Sequence, residues 1–342
     1  MKIQKDELKF SILMPVYNGA NIIMDAINSI LRQDFNNYEI IISDDGSKDN
    51  TEKIVKSIKD KRIKYYRNKE NLGYGKNMEQ CRMLASKDSE ILFLMAQDDF
   101  LRKGTLKKTN NVFKKNKDVG AIIRPFYMFG ENINVPIRDF PPYSDTKDTI
   151  ISRKDGEKAF LAIFRTVCQL SGLAFRKKLI KVPFHEDIMT SHIYPFLEIF
   201  KTHKIMFLKD YTIAVRTYTS QTRSVAKIYE ISPVQAWINL VETVFAGDEY
   251  KKERAISKKI VVNQGYVGLV QLKNFSTTSI LLREYKVLLL NRKSNVVNPR
   301  ALFYIFVTFL TPRSLLLPFV DFYKEQVLRM MLKKRKIQFV KA

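Results

Sequence analysis

The sequence predicts an α/β fold, a doubly wound, mostly parallel sheet in α/β/α layers with a helical C-terminal extension. Three observations lead there. Residues 10–16 (FSILMPV), 38–43 (YEIIIS) and 91–95 (ILFLM) are short, continuous apolar runs, the pattern of strands covered on both faces of a parallel sheet. Between them, apolar residues recur at helical spacing, as in Ile22, Ile23, Ala26, Ile27, Ile30 and Leu31, giving one face that packs on a sheet. Two of the three runs deliver straight onto paired acids, Asp44 with Asp45 and Asp98 with Asp99. Ligands of open α/β sheets bind beyond the carboxyl ends of the strands, so both pairs fall where a ligand sits.

In chain order, the first strand ends near a Tyr17-Asn18-Gly19 turn and a helix follows through residue 33. The second strand runs onto Asp44, Asp45, Gly46 and Ser47, and Asp49 or Asn50 caps a helix over 51–58. A third strand, 63–67, completes a βαβαβ order that points to a doubly wound sheet. Residues 71–77 (NLGYGKN) place Gly73, Gly75 and Lys76 before an amphipathic helix. Glycines there allow close backbone approach, and Lys76 either neutralises a phosphate or is simply solvated. Met78 stands where a dinucleotide fingerprint needs glycine, and Glu70 where a P-loop needs it. For Asp98 and Asp99 two readings stay open. They are hard oxygen donors for Mg²⁺ or Mn²⁺ holding a diphosphate, or a turn and cap for a helix over 105–113. Likewise Asp45 accepts from a base or ribose hydroxyl and Tyr17 stacks on the base, or both belong to ordinary strand-end turns.

Composition sets outer limits. The chain has 342 residues and 45% hydrophobic content, which excludes general disorder and permits one large domain with an extension, or two domains. A formal charge of +24 predicts an anionic partner. Cys81 and Cys168 are the only cysteines, without the spacing of a disulfide framework or zinc site, which fits a reducing, cytosolic environment. The first ten residues lack the apolar core of a signal peptide.

Five segments in order, FSILMPVYN, SILRQDF, YEIIISDDGSKDNT, NLGYGKN and ILFLMAQDDF, resemble a family 2 glycosyltransferase with the GT-A fold over about the first 125 residues. The resemblance implies that Pro15, Val16 and Tyr17 line the base pocket and that Asp45 reads the base. It implies that Lys76 stands where the family often has arginine, that Asp98 lies at the ribose, and that Asp99 holds the metal. It also implies a nucleotide-sugar donor such as a UDP-sugar, Mn²⁺ or Mg²⁺, and inversion at the anomeric carbon.

On that reading residues 1–225 form the catalytic domain, with 1–125 the nucleotide-sugar half and 126–225 the acceptor half, and 226–342 form the helical extension. Residues 121–126 read as a further strand and 131–148 as a long loop. An inverting transfer needs a general base, which the family usually supplies as an aspartate, often Glu-Asp, at a helix start. Here Ser191 and His192 occupy that place and Glu186 and Asp187 lie earlier, so His192 is the first candidate and Asp187 the second. Residues 208–219 read as a closing strand, and Arg223 in the loop after it is a candidate donor to the diphosphate. Near the C-terminus, 301–310 and 315–320 are strongly apolar but each falls short of the ~20 residues a spanning helix needs. With the basic run after them they fit an interfacial element on an anionic leaflet, or a buried helix or dimer contact. The expectation is a peripheral enzyme at the inner face of a bacterial cell membrane, building a cell-surface polysaccharide on a glycan or lipid-linked acceptor. Two rivals are a nucleotidyltransferase acting on sugar phosphates and a non-enzymatic basic module; nucleic acid is not expected as a partner.

Overall fold

The computed structural model describes residues 7–217, 226–328, 330 and 332. Its main sheet has eight strands in the order β3-β2-β1-β4-β10-β6-β11-β9. The first four, β1 (Phe10–Val16), β2 (Tyr38–Asp44), β3 (Ile63–Arg67) and β4 (Ile91–Leu94), are parallel. Helices α1 (Ile23–Leu31), α2 (Thr51–Ser57) and α3 (Tyr74–Leu84) connect them. The continuous apolar runs have a direct cause: Ile12, Met14, Ile40, Ile42 and Phe93 enter the core on one face, while Leu13, Ile41, Leu92 and Leu94 enter the core on the other. Each such side chain, fully buried, contributes about 1.5–3 kcal/mol. Register aligns Val16 with Asp44 and Leu13 with Leu94, so the acid-bearing strand ends share one edge.

Beyond β4 the sheet becomes mixed. After β5 (Phe100–Leu101) and α4 (Thr105–Lys115), the strand β6 (Val119–Ile123) joins the main sheet and β7 (Phe126–Phe129) leaves it. The single strand expected over 121–126 is thus two strands in two sheets, divided at Pro125, which has no N–H for a ladder. The loop expected over 131–148 contains β8 (Pro136–Phe140), antiparallel to β7; its proline opens an edge strand, where the missing donor is tolerated. Next come β9 (Thr149–Ile151), α5 (Gly156–Thr166), β10 (Ala174–Arg176) and α6 (Ile193–Thr202). Strand β10 inserts antiparallel between β4 and β6. Within the closing strand expected over 208–219 the described residues form one short strand, β12 (Ile213–Arg216), in a second sheet ordered β5-β12-β7-β8, while β11 (Lys204–Phe207), in the main sheet, ends before that range.

The extension is helical, with α7 (Pro233–Val244), α8 (Lys251–Phe275), α9 (Thr278–Asn291), α10 (Pro299–Leu310) and α11 (Arg313–Phe322). Ser232, Thr277 and Asn298 cap α7, α9 and α10 through their side chains. The extension shares a core with the sheet: Phe160 meets Phe245 at 5.8 Å and Phe164 meets Trp237 at 5.2 Å between ring centroids. Arg153 pairs with Glu253 across the same seam. Among the described residues no helix is long and apolar enough to cross a membrane.

Candidate active site

The strand ends on the shared edge are tied together by side chains. Gln97 grips the main chain of Tyr17 from both sides: the Tyr17 N–H donates to Gln97 Oε1 at 3.0 Å, and Gln97 Nε2 donates to the Tyr17 carbonyl at 3.1 Å. The Asn18 N–H donates to Ser47 Oγ at 2.8 Å and the Gly19 N–H to Thr51 Oγ1 at 2.8 Å. Asn18 sits at φ 50°, a left-handed conformation asparagine tolerates. Pro15, Val16 and Tyr17 thus run beside the β2 acids, with Val16 buried and the other two half-buried.

Both β2 acids are buried. Asp44 turns inward, its Oδ1 accepting from the Ser47 N–H at 2.7 Å and its Oδ2 from the Tyr65 hydroxyl. Asp45 organises the next loop. Its Oδ1 accepts from Asn68 Nδ2 at 2.9 Å and the Leu72 N–H at 2.8 Å, and its Oδ2 from the Gly73 N–H at 2.9 Å. A carboxylate offers about four acceptor positions, so three are filled and one on Oδ2 remains for a ligand.

Gly75 has a role other than phosphate approach. A Cβ there would lie 2.3 Å from the His185 carbonyl oxygen and 2.8 Å from Glu186 Cα, so the helix start is pressed against the backbone of the segment that carries Asp187. Lys76 reaches the same segment, 3.5 Å from Glu186 in an exposed ion pair. Because backbone cannot swing aside, Gly75→Ala is expected to cost about 1–3 kcal/mol and to displace residues 185–187. Urea unfolding together with protease cleavage within 181–190 measures both effects; unchanged values would refute the contact.

The β4 acids diverge. Asp98 is half-buried, whereas Asp99 is 1% exposed. Asp99 Oδ2 accepts from Ser171 Oγ at 2.5 Å and Gln169 Nε2 at 3.1 Å, and Oδ1 from the Arg216 N–H at 3.1 Å. Burial first, then the charge of Asp98, push the Asp99 carboxyl up to about 8 against the pull of Ser171, Arg216 and Arg124. Arg216 joins three parts of the edge: its guanidinium pairs with Asp25 of α1 at 2.7 Å and packs over Phe100 and Phe129. Arg124, fully buried, donates to the carbonyls of Thr166, Gln169 and Ser171, shaping the loop that holds Asp99. Nothing in the sequence marks Gln169, Ser171, Arg124 or Arg216 as residues of this edge. Gln97, next to Asp98 in the same motif, does carry such a signal.

The acceptor side differs from expectation at His192. The ring is 4% exposed, with Nδ1 3.0 Å from the Tyr74 hydroxyl and Nε2 2.9 Å from the Val167 carbonyl. A carbonyl only accepts, so Nε2 carries the proton and Nδ1 accepts from Tyr74. Burial drives its pKa down to about 4. The neutral ring has both nitrogens engaged and no lone pair for an acceptor proton, so the structure argues against His192 as base. Asp187 is half-buried, its Oδ1 accepting from the Met189 N–H at 2.7 Å. Arg223 lies outside the described residues.

Among the described residues no three His, Cys, Asp or Glu side chains cluster to hold a metal. Asp98 and Asp99 put two carboxyl groups side by side, and an ion of the Mg²⁺ type takes one or two carboxylates and completes its shell with phosphate and water. Once ionised, Asp99 has one acceptor position of Oδ1 left.

A parallel four-strand unit with acids at two strand ends, joined to a mixed half, is an α/β architecture of GT-A type. Residues 11–179 match the model of glycosyl transferase family 2. An uncharacterized glycosyltransferase of Rickettsia typhi is 40% identical over 111 residues, 32% of this chain and 34% of its own. The GalNAc(5)-diNAcBac-PP-undecaprenol beta-1,3-glucosyltransferase of Campylobacter jejuni is 32% identical over 149 residues, 43% of this chain and 47% of its own. These matches span less than half of either relative. The crystal structure of Staphylococcus aureus TarS 1-349 in complex with UDP-GlcNAc superposes with a TM-score of 0.60 at 17% identity, covering 98% of both chains, which establishes the fold.

Proposed function

We propose that the chain transfers a sugar from a nucleotide-sugar donor, expected to be a UDP-sugar, to a hydroxyl of a glycan or lipid-linked acceptor, with inversion. The observation that carries this reading is the shared edge, where Asp45 and, once ionised, Asp99 each keep one acceptor position after three are filled by the chain. Asp45 would accept from the base, with Pro15, Val16 and the Tyr17 ring beside it. Asp98 would lie against the ribose and Asp99 against the metal, with Lys76 and Arg223 as cationic contacts to the donor. Bound Mn²⁺ or Mg²⁺ would neutralise the growing charge of the departing diphosphate. Asp187 is the base in this reading, removing the acceptor proton as the hydroxyl attacks the anomeric carbon. The Campylobacter jejuni relative, whose name gives an undecaprenol-linked substrate, supports a place in bacterial cell-surface polysaccharide synthesis, and a peripheral position at the inner face of the membrane is part of the same proposal.

A panel of nucleotide sugars with Mn²⁺, read by thermal shift and donor hydrolysis, tests the donor. A ligand at a hundredfold its Kd stabilises by about 2.7 kcal/mol, readily visible as a shift in Tm. Stabilisation by no nucleotide sugar would overturn the reading, and metal-dependent pyrophosphate release from nucleoside triphosphate would favour the nucleotidyltransferase. For the base, Asp187→Asn is expected to lower kcat about 10²–10⁴-fold. His192→Gln, which can still accept from Tyr74 and donate to Val167, should stay near wild type. The reverse ordering would return the role to His192.

A further inference from the structure

Helices α10 and α11 are amphipathic in an inverted sense. Leu302, Phe303, Phe306, Phe309 and Leu310 on α10 and Leu315, Phe319 and Phe322 on α11 are all exposed, whereas the buried positions are Ala301 and Thr308 on α10 and Leu316 on α11. The bulkiest apolar groups therefore face away from the protein. Phe303, Phe306 and Phe309 line one continuous groove with Pro299, Leu302 and Ile305. A patch of this kind marks an interaction surface.

Its charge selects the occupant. Residues 285–320 contain Lys286, Arg292, Lys293, Arg300 and Arg313 and no Asp or Glu, and the single acid of α10 and α11 is Asp321 near the C-terminal end of α11. Arg300 and Arg313, at the N-terminal ends of α10 and α11, are exposed. Apolar surface bordered by cations matches an anionic lipid leaflet. A second copy of the chain would set one cation-rimmed patch against another, since a two-fold contact uses the same patch on both subunits. Helices of 12 and 10 residues are too short to span a bilayer, which needs ~20, but suit a position in its interface.

The patch also lies near the strands around the candidate site. The helical turn Tyr323–Leu328 packs on β8, and Arg138 of β8 has Cys168, Asp139 and Tyr304 of α10 in its surroundings. Cys168 precedes Gln169, the donor to Asp99.

We propose that α10 and α11 form an interfacial hairpin seated in an anionic lipid leaflet, bringing acceptors carried by that leaflet to the Asp98–Asp99 edge. The seating stands on the exposed face and its charge; the role in acceptor delivery rests on the transferase reading.

Flotation of the full chain with phosphatidylcholine vesicles, with and without phosphatidylglycerol, is the test. Wild type is expected to float with phosphatidylglycerol and to bind less as salt rises. Phe303→Ser/Phe306→Ser/Phe319→Ser should weaken binding by about a hundredfold or more with little change in Tm, because those rings are already solvent-exposed. Should that variant fold poorly, Phe306→Trp provides a second reading: brominated acyl chains are expected to quench the added emission. Wild type remaining in the aqueous fraction overturns the proposal. So does an unquenched Phe306→Trp variant, or a dimer that the triple substitution dissolves without any vesicle binding. Nucleotide-sugar thermal shifts should be the same in wild type and the triple variant. If no nucleotide shift occurs while vesicle binding persists, only the transferase reading and the delivery role fall.

Discussion

Asp98→Asn is expected to lower glycosyl transfer by about 10²–10³-fold, the scale seen when one electrostatic contact to developing charge is removed, while the chain stays folded. The side chain is half-buried, and asparagine keeps its shape, so the loss falls on charge. A second consequence is independent of turnover. The Asp98 charge is the second cause, after burial, of the raised Asp99 pKa. Because the folded value, about 8, exceeds the ordinary carboxyl value near ~3.9, folding favours neutral Asp99. That contribution to stability is fully present below the unfolded pKa and is lost as pH rises through the folded one. In Asp98→Asn the Asp99 pKa falls, so the loss should be smaller and complete at lower pH. Tm measured across that range without divalent ions, beside turnover with Mn²⁺, reads both effects. Wild-type turnover with an unchanged Tm profile would remove Asp98 from the site.

The parts of this arrangement legible in sequence are those written by side-chain pattern. Continuous apolar runs predicted β1, β2 and β4 because each strand is buried on both faces, and acids directly after two of them marked the edge. What escaped was written in backbone or in burial. Gly75 reads as room for a ligand, yet the group it admits is the main chain of residues 185–186. His192 has the right type and position for a base, but its burial between Tyr74 and Val167 arises from segments far apart in the chain. The second sheet was hidden because β5, β7, β8 and β12 each have five residues or fewer, too short for a two-residue period to stand out. Arg124 was the least visible. In AIIRPF it looks like a strand-end cation bound for solvent, and its partners are carbonyls, which every residue carries.

That concealed arginine should give the largest stability effect in the molecule. Arg124→Met keeps much of the side-chain volume but removes the donors to the carbonyls of Thr166, Gln169 and Ser171. Burial lowers the Arg124 pKa to about 9, which still leaves it a cation at neutral pH. Each of the three carbonyls left without its donor costs about 1–3 kcal/mol, offset in part because a cation is no longer buried, so a net loss of about 3–5 kcal/mol is expected in urea unfolding. Arg124→Lys should recover only part of it, because a point ammonium cannot reproduce a planar fork spread over three acceptors. The functional effect travels through Ser171 and Gln169, whose hold on Asp99 depends on that loop, and through the lost cation, which otherwise favours ionised Asp99. Assayed well below its own Tm, Arg124→Met should therefore need more Mn²⁺ for half-maximal turnover and show a rate–pH profile displaced to higher pH. A variant that lost stability but kept the wild-type metal requirement and profile would leave Arg124 a purely structural residue and detach the loop from the acid pair.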